Sequence, residues 1–167
     1  MSHEPRLTRE LRTLLNTQRM AALGTLTDEG APFVSMVPFA IERAIGCLVI
    51  HVSALAAHTR HLRVRPRVSL LVCVPERPDE PVHDLHRVTL NGCARVLERE
   101  DADWAACKSA YLDRFPDVAF MTELGDFAFV AIDINAARHV SGFGAARSVD
   151  QDELRLVLMS NVVPSAT

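Results

Sequence analysis

The sequence predicts a mainly β, α+β fold in which one antiparallel barrel carries a few peripheral helices. Short segments of alternating apolar and polar residues, rich in β-branched side chains, recur along the chain and are separated by short turns. Helical periodicity occurs at only a few points, which argues against a parallel βαβ fold. With 167 residues, 49% of them hydrophobic, the chain suits one domain, residues 1–167, with its core at about 20–149.

The first third of the chain is predicted to contain one helix and three strands. Thr8 can cap an amphipathic helix that places three leucines on one face and ends near Asn16. A hairpin follows, because an acidic turn with a glycine separates two apolar segments, and a third apolar segment comes soon after. The predicted strands are Met20–Leu26, Ala31–Ala40 and Gly46–Val52.

The middle of the chain is predicted to contain one helix and two strands around a loop. Leu55 and Leu62 share one face of the predicted helix, and Pro66 stops it. A stretch rich in proline and charge is predicted to be a mobile hairpin loop. Gly92 marks a bulge or bend at a barrel corner. The predicted elements are the helix Leu55–Val64, the strand Val68–Val74, the loop Pro75–Asp84 and the strand Arg87–Leu97.

The last third is predicted to alternate helices with strand segments. A helix with Trp104, Cys107 and Tyr111 along one side is closed by a Phe-Pro step. The predicted elements are the helix Asp101–Arg114, the strand segments Phe127–Ile132 and Arg138–Val140, and the terminal helix Asp152–Met159.

Composition excludes several classes of function. The net charge of −3 offers no positive field to nucleic acid. No apolar run is long enough to cross a membrane, and the N-terminal residues lack an apolar signal core. Four isolated cysteines, without metal-ligand spacing, fit a reducing compartment. The sequence therefore predicts a cytoplasmic protein with no nucleic-acid or membrane partner.

Two motifs carry most of the functional information. The glycines of Gly142-Phe143-Gly144, after a clear strand, turn the backbone tightly and hold one aromatic ring. Upstream, Ser53 to Leu62 leads through Arg65-Pro66 into the strand that begins near Arg67. Its hydroxyls and cations lie at the two ends of one helix, where a phosphate can be bound, although a capped helix with solvated basic residues explains them too.

From Ala22 to Val149 the chain resembles the flavin-binding split barrels related to pyridoxamine 5′-phosphate oxidase, and within them the branch named for haem utilisation. The resemblance implies an antiparallel FMN-binding split barrel and a flavin-dependent oxidoreductase-like protein. It also implies a homodimer with two flavin sites at the subunit interface. We expect the surfaces near Trp104, Tyr111 and Phe143 to lie close to the second subunit.

The resemblance also implies which residues bind the cofactor. The phosphate of FMN is expected at Ser53, His58, Thr59 and Arg67, with His58 where the oxidases have a lysine. The flavin ring is expected along one strand, and Ser35 in this strand replaces a phosphate-binding arginine of the oxidases. The ring-facing residues are Val34, Ser35, Met36 and Val37, with Arg87 and Phe143 as further contacts; Arg87 is equally well explained as an exposed strand arginine.

Haem is the alternative cofactor, with His139 as the single late candidate for an axial ligand. The pairs His58/His61 and His83/His86 lack a third ligand, so no metal site is predicted. No nucleophile triad or nucleotide-binding glycine motif is present, and catalytic residues are not identified. The sequence thus favours FMN, with a haem-binding or haem-utilisation protein and a cofactor-free dimeric interaction module as alternatives.

Overall fold

The computed structural model describes residues 4–160. The strands are β1 Met20–Leu26, β2 Pro32–Pro38, β3 Ala40–Glu42, β4 Cys47–Ser53, β5 Arg67–Cys73, β6 Arg87–Val96, β7 Phe127–Val140 and β8 Ala146–Val149. The α-helices are α1 Arg6–Thr17, α2 Ala57–Val64, α3 Trp104–Arg114 and α4 Gln151–Met159. Two 3₁₀ helices span Val82–Asp84 and Pro116–Glu123.

All eight strands belong to one antiparallel sheet in the order β2-β1-β5-β6-β7-β4-β3, with β8 paired to β7. Its two end strands, β2 and β3, follow each other in the chain but pair with different neighbours. The curled sheet is therefore a barrel that is split at this point, as the sequence predicted.

The barrel interior is filled by aliphatic side chains from every second position of its strands. Leu23, Leu70 and Leu90 are wholly buried there. The same cluster extends to Leu62 of α2 and to buried leucines of α1 and α4, which are Leu11, Leu14, Leu15, Leu154 and Leu158. The apolar stripes of these peripheral helices thus close the openings of the barrel.

A second apolar cluster lies between the outer side of the barrel and α3. Cys47 and Val49 of β4 and Phe129 of β7 pack there against Cys107 and Tyr111 of α3. Because β4 is covered on both sides, its first four residues are all buried, which explains the unbroken apolar run in the sequence.

Several predicted helix boundaries are wrong. Thr8 does not cap α1, which begins at Arg6; its buried hydroxyl instead donates to Glu153 Oε1 at 2.7 Å. Leu55 is exposed and precedes α2, which begins at Ala57. The helix predicted from Asp101 begins at Trp104.

Several predicted strands differ from the observed ones, because strand boundaries depend on pairing, which the sequence does not show. The predicted strand 31–40 is two strands, since β2 pairs with β1 and β3 pairs with β4. The two late segments form the single strand β7, and β8 was not predicted. The bulge predicted at Gly92 is confirmed: pairing with β7 shifts from Asn91–Ala136 to Gly92–Ile134 and skips Asn135.

Candidate functional site

The outer face of β2, β1 and β5 is apolar and open. Met36, Ala22 and Leu71 are cross-strand neighbours in one row of this face. Val34, one alternate position further along β2, is 68% exposed and Met36 is 63% exposed. This exposed apolar surface at the end of a sheet is unusual for a chain that stands alone.

A groove of about 600 Å³ runs across this face. Its floor consists of small or short polar residues from four adjacent strands, which are Gly24, Ser69, Asn91 and Ala136. Gly24 of β1 pairs with Val34 of β2. Because Gly24 has no side chain, the floor of the groove is flat at this pair. The exposed Arg67 lines the groove beside Pro32 and Leu26, and its guanidinium group makes no hydrogen bond within residues 4–160. The groove combines a flat floor, apolar flanks and one free cation.

The hydroxyls expected to bind phosphate are engaged in local structure. The buried Thr59 donates its hydroxyl to the carbonyl of Ser53 at 2.6 Å. Ser53 Oγ accepts the backbone N–H of Leu55 at 3.2 Å. These bonds fix the turn between β4 and α2, so both side chains stabilise the start of the helix.

His58 contacts Ser35, which joins two residues that the sequence placed in one site. Ser35 Oγ and His58 Nδ1 are 3.0 Å apart. Burial, and then the nearby His61, lower the pKa of His58 below its usual value. His58 is therefore mostly neutral at pH 7 and supplies little positive charge to a phosphate.

Arg67 begins β5, whereas Arg87, the first residue of β6, lies opposite the other end of β5. Arg87 pairs with Cys73, six residues beyond Arg67 along that strand, which corresponds to roughly 20 Å. Arg87 is also held locally, because its Nη1 donates to the carbonyl of Leu85 at 2.8 Å. The two arginines cannot bind the same phosphate within one chain.

Phe143 lies in the turn between β7 and β8, at the Arg87 end of the sheet. Gly144 has a φ of 72°, in the left-handed region that favours glycine. Phe143 is 85% exposed. Of the side chains expected near a second subunit, Phe143 is thus open to solvent, whereas Tyr111 is buried within its own chain.

The histidines that are close in sequence, His58/His61 and His83/His86, have other side-chain partners in the structure. His61 Nδ1 contacts Thr25 Oγ1 at 2.9 Å, and His86 Nε2 lies 2.5 Å from His139 Nε2. His139 is 0% exposed, so its ring is not accessible to a ligand outside the barrel. Within residues 4–160 no group of three or more metal-ligating side chains is present. The sequence contained no signal for the His86–His139 pair, which forms only when β6 and β7 pair.

The fold and the groove place the chain in the class of the split barrels, and sequence comparison agrees. The family model described as pyridoxamine 5′-phosphate oxidase matches residues 7–141, and the chain belongs to this family. It is 40% identical over 139 residues to the non-canonical haem oxygenase HOZ, chloroplastic, of Arabidopsis thaliana. It is 28% identical over 150 residues to the haem oxygenase HutZ of Vibrio cholerae.

These matches cover different shares of the relatives. The HOZ match covers 82% of this chain but 41% of HOZ, whereas the HutZ match covers 89% of this chain and 84% of HutZ. Among solved structures, a haem-binding protein from Mycobacterium smegmatis has a TM-score of 0.79 at 29% identity, over 92% of this chain and 62% of that one. No helix within residues 4–160 has the length and apolar character needed to span a membrane.

Proposed function

We propose that this chain binds haem and takes part in haem utilisation, which the sequence analysis held as the alternative to FMN. Two curated relatives are named as haem oxygenases, and a similar solved structure is described as haem-binding. FMN is supported by the family fold alone. A fold hosts many chemistries, so the side chains must distinguish the two cofactors.

The observation that carries the proposal is the state of the expected phosphate site. Ser53 and Thr59 use their hydroxyls in the turn before α2, and burial lowers the pKa of His58. The dianionic phosphate of FMN therefore finds little positive charge at these three residues, and the fourth expected ligand, Arg67, lines the groove. The groove on β1 and β5 suits a different ligand, a flat apolar ring system with carboxylates at its edge.

In this proposal Val34, Met36 and Leu71 pack against the macrocycle, and Arg67 binds a propionate. Haem supplies a redox-active iron, and the protein supplies position and electrostatics. His139 is not its ligand, because the side chain is wholly buried and its Nε2 is bonded to His86.

Parallel titrations of the purified protein with haemin and with FMN test this proposal. We expect a saturable Soret band with haemin and no quenching of FMN fluorescence. His139→Leu should leave the Soret band unchanged. Stoichiometric FMN quenching without a haem complex would contradict the proposal, and failure of both ligands to bind would favour the cofactor-free dimeric module.

Arg67→Gln should weaken haemin binding about fivefold, because an exposed charge-assisted contact contributes about 1 kcal/mol. Arg77→Gln is the matched control, since Arg77 forms an exposed ion pair with Glu80 in the loop after β5. The measurement is the haemin dissociation constant from the Soret titration. Equal affinities for the two variants would show that Arg67 does not face the ligand.

We also propose that the outer face of β2 and β5 is covered by a second copy of the chain. The apolar exposure of Val34 and Met36 on an end strand supports this homodimer, as does the family resemblance. The groove would then lie at the subunit interface.

The four cysteines are free, which supports a reducing compartment, and we propose the cytoplasm.

The double variant Val34→Lys and Met36→Lys should convert the dimer to a monomer, because burying two unpaired ammonium groups in an interface is costly. Sedimentation equilibrium at micromolar concentration measures the effect. Val82→Lys, at an exposed apolar position in the 3₁₀ helix before β6, should remain dimeric. A monomeric unmodified protein would reject the homodimer.

A further inference from the structure

A cavity of about 530 Å³ lies between β3 and α3, and it shares no lining residue with the groove. One part of its wall is apolar and consists of Ala40, Ile41, Ala106 and Ala110. Arg43 and Arg114 line the same cavity. Its volume is within the range of small-molecule sites.

Both guanidinium groups are fixed by neutral acceptors at helix ends. Arg43 Nη1 donates to the carbonyls of Leu158 and Ser160, at 3.3 and 2.6 Å, at the C-terminus of α4. Arg114 Nη2 donates to the carbonyls of Asn16 and Gln18 at the C-terminus of α1. These carbonyls hold the two cations in place but do not neutralise them with a full negative charge.

The charges acting on the two arginines are mainly positive. Burial, and then Arg12, lower the pKa of Arg43; burial, and then Arg19 and Arg43, lower that of Arg114. Neither Arg43 nor Arg114 forms an ion pair within the described residues.

Two carboxylates, Glu42 and Asp113, also line the cavity, but neither forms an ion pair with the two arginines among the described residues. Glu42 Oε2 accepts the N–H of Ile45 at 2.6 Å, and Asp113 is exposed. Moreover, Arg114 Nε is buried and has no hydrogen-bond partner among residues 4–160. The cavity therefore joins an apolar wall to two fixed arginines that form no ion pair among the described residues.

We propose that this cavity is a binding site for a small organic oxyanion, a carboxylate or phosphate group on a compact apolar body, with Arg43 and Arg114 facing the oxyanion. Charge-assisted hydrogen bonds from arginine suit such a group. The alanines of α3 leave room for the apolar body. This site is independent of the haem proposal, since the two share no residue.

The test is isothermal titration of the protein, without added haem, with benzoate, phenyl phosphate and inorganic phosphate. We expect at least one aromatic anion to bind at one site per chain, and inorganic phosphate to bind about tenfold more weakly because it leaves the apolar wall uncovered. The stronger of the two aromatic ligands identifies the preferred oxyanion. No saturation by either aromatic ligand, or equal binding of inorganic phosphate, would overturn the proposal.

Variants of α3 locate the site. Ala110→Leu should fill the cavity and weaken binding at least about tenfold, whereas Ala105→Leu, at an exposed position of the same helix, should bind as before. Arg114→Gln, which keeps donors for the α1 carbonyls, should also lose about tenfold. Circular dichroism confirms folding, and Ala106→Leu replaces Ala110→Leu if that variant does not fold. Unchanged affinity in the folded cavity-filling variant would overturn the assignment.

Discussion

The free energy of unfolding should fall by about 3 kcal/mol between pH 6.5 and pH 4 through His139 alone. Burial, and then the charges of His86 and Arg147, lower the pKa of His139 to about 4. The unfolded chain takes up this proton near pH 6.5, whereas the folded chain resists it. The contribution of His139 is therefore complete above pH 6.5 and is lost as the pH falls towards 4.

The geometry of the histidine pair explains this resistance. The two Nε2 atoms are 2.5 Å apart, so one ring donates its N–H and the other accepts it with its lone pair. A second proton between the rings would find no free lone pair. His139 Nδ1 is buried without a partner among the described residues. Glu10 and Glu153 act in the opposite direction on the pKa of His139 but more weakly than burial and the cations.

Urea unfolding at pH 7.5, 6.5, 5.5 and 4.5 measures the effect in the protein and in His139→Leu. His51, His58 and His86 also have lowered pKa values and add to the decline in stability. The difference in unfolding free energy between the two proteins therefore isolates the contribution of the buried pair. His83→Gln, at an exposed position of the 3₁₀ helix before β6, is the control and should follow the unmodified protein. An equally steep decline in His139→Leu would contradict this assignment.

Gly92→Ala should destabilise the protein by about 2–3 kcal/mol because the bulge between β6 and β7 leaves no room for a methyl group. A Cβ at Gly92 would lie 2.6 Å from the carbonyl oxygen of Asp133 and 3.1 Å from Ile132 Cγ2. The first neighbour is backbone of the paired strand and cannot rotate away. The sheet would have to open at the bulge.

Gly125→Ala is the matched control, since no atom lies within 4 Å of a Cβ at Gly125. Its stability should change by no more than about 0.5 kcal/mol. The midpoint and slope of urea unfolding measure both variants. If Gly92→Ala were as stable as Gly125→Ala, the bulge would have to be more adaptable than the close approach indicates.

The sequence alone determined the class of fold and the positions of most elements. Apolar segments marked β1, β4, β5 and β6 with small errors at their ends, because burial of sheet faces imposes a recognisable pattern on a strand. The predicted second strand ran on into β3, and β7 was predicted as two separate segments. Gly92 marked the bulge, because glycine interrupts such a pattern where backbones approach closely. The short β8 lacked a repeat long enough to show this pattern.

The first residues of helices were less well predicted. A residue's local preference for capping a helix does not show whether its side chain is used in a tertiary contact instead. Thr8 has the side chain of a good cap, yet its hydroxyl serves better as the partner of Glu153 from α4. Ser53 and Thr59 do lie close together, but the sequence could not show that their hydroxyls bond within the turn. Whether a side chain binds a ligand depends on what else it contacts.

The tertiary structure decided the rest, because register brings distant residues together. Only the pairing of β1 with β2 and β5 places Met36, Ala22 and Leu71 in one row of the outer face. Only the pairing of β6 with β7 brings His139 towards His86 and away from any external ligand. Composition and period determine which residues face a core. The order and register of strands determine which of them share a site, and these depend on the free energy of the whole packed sheet.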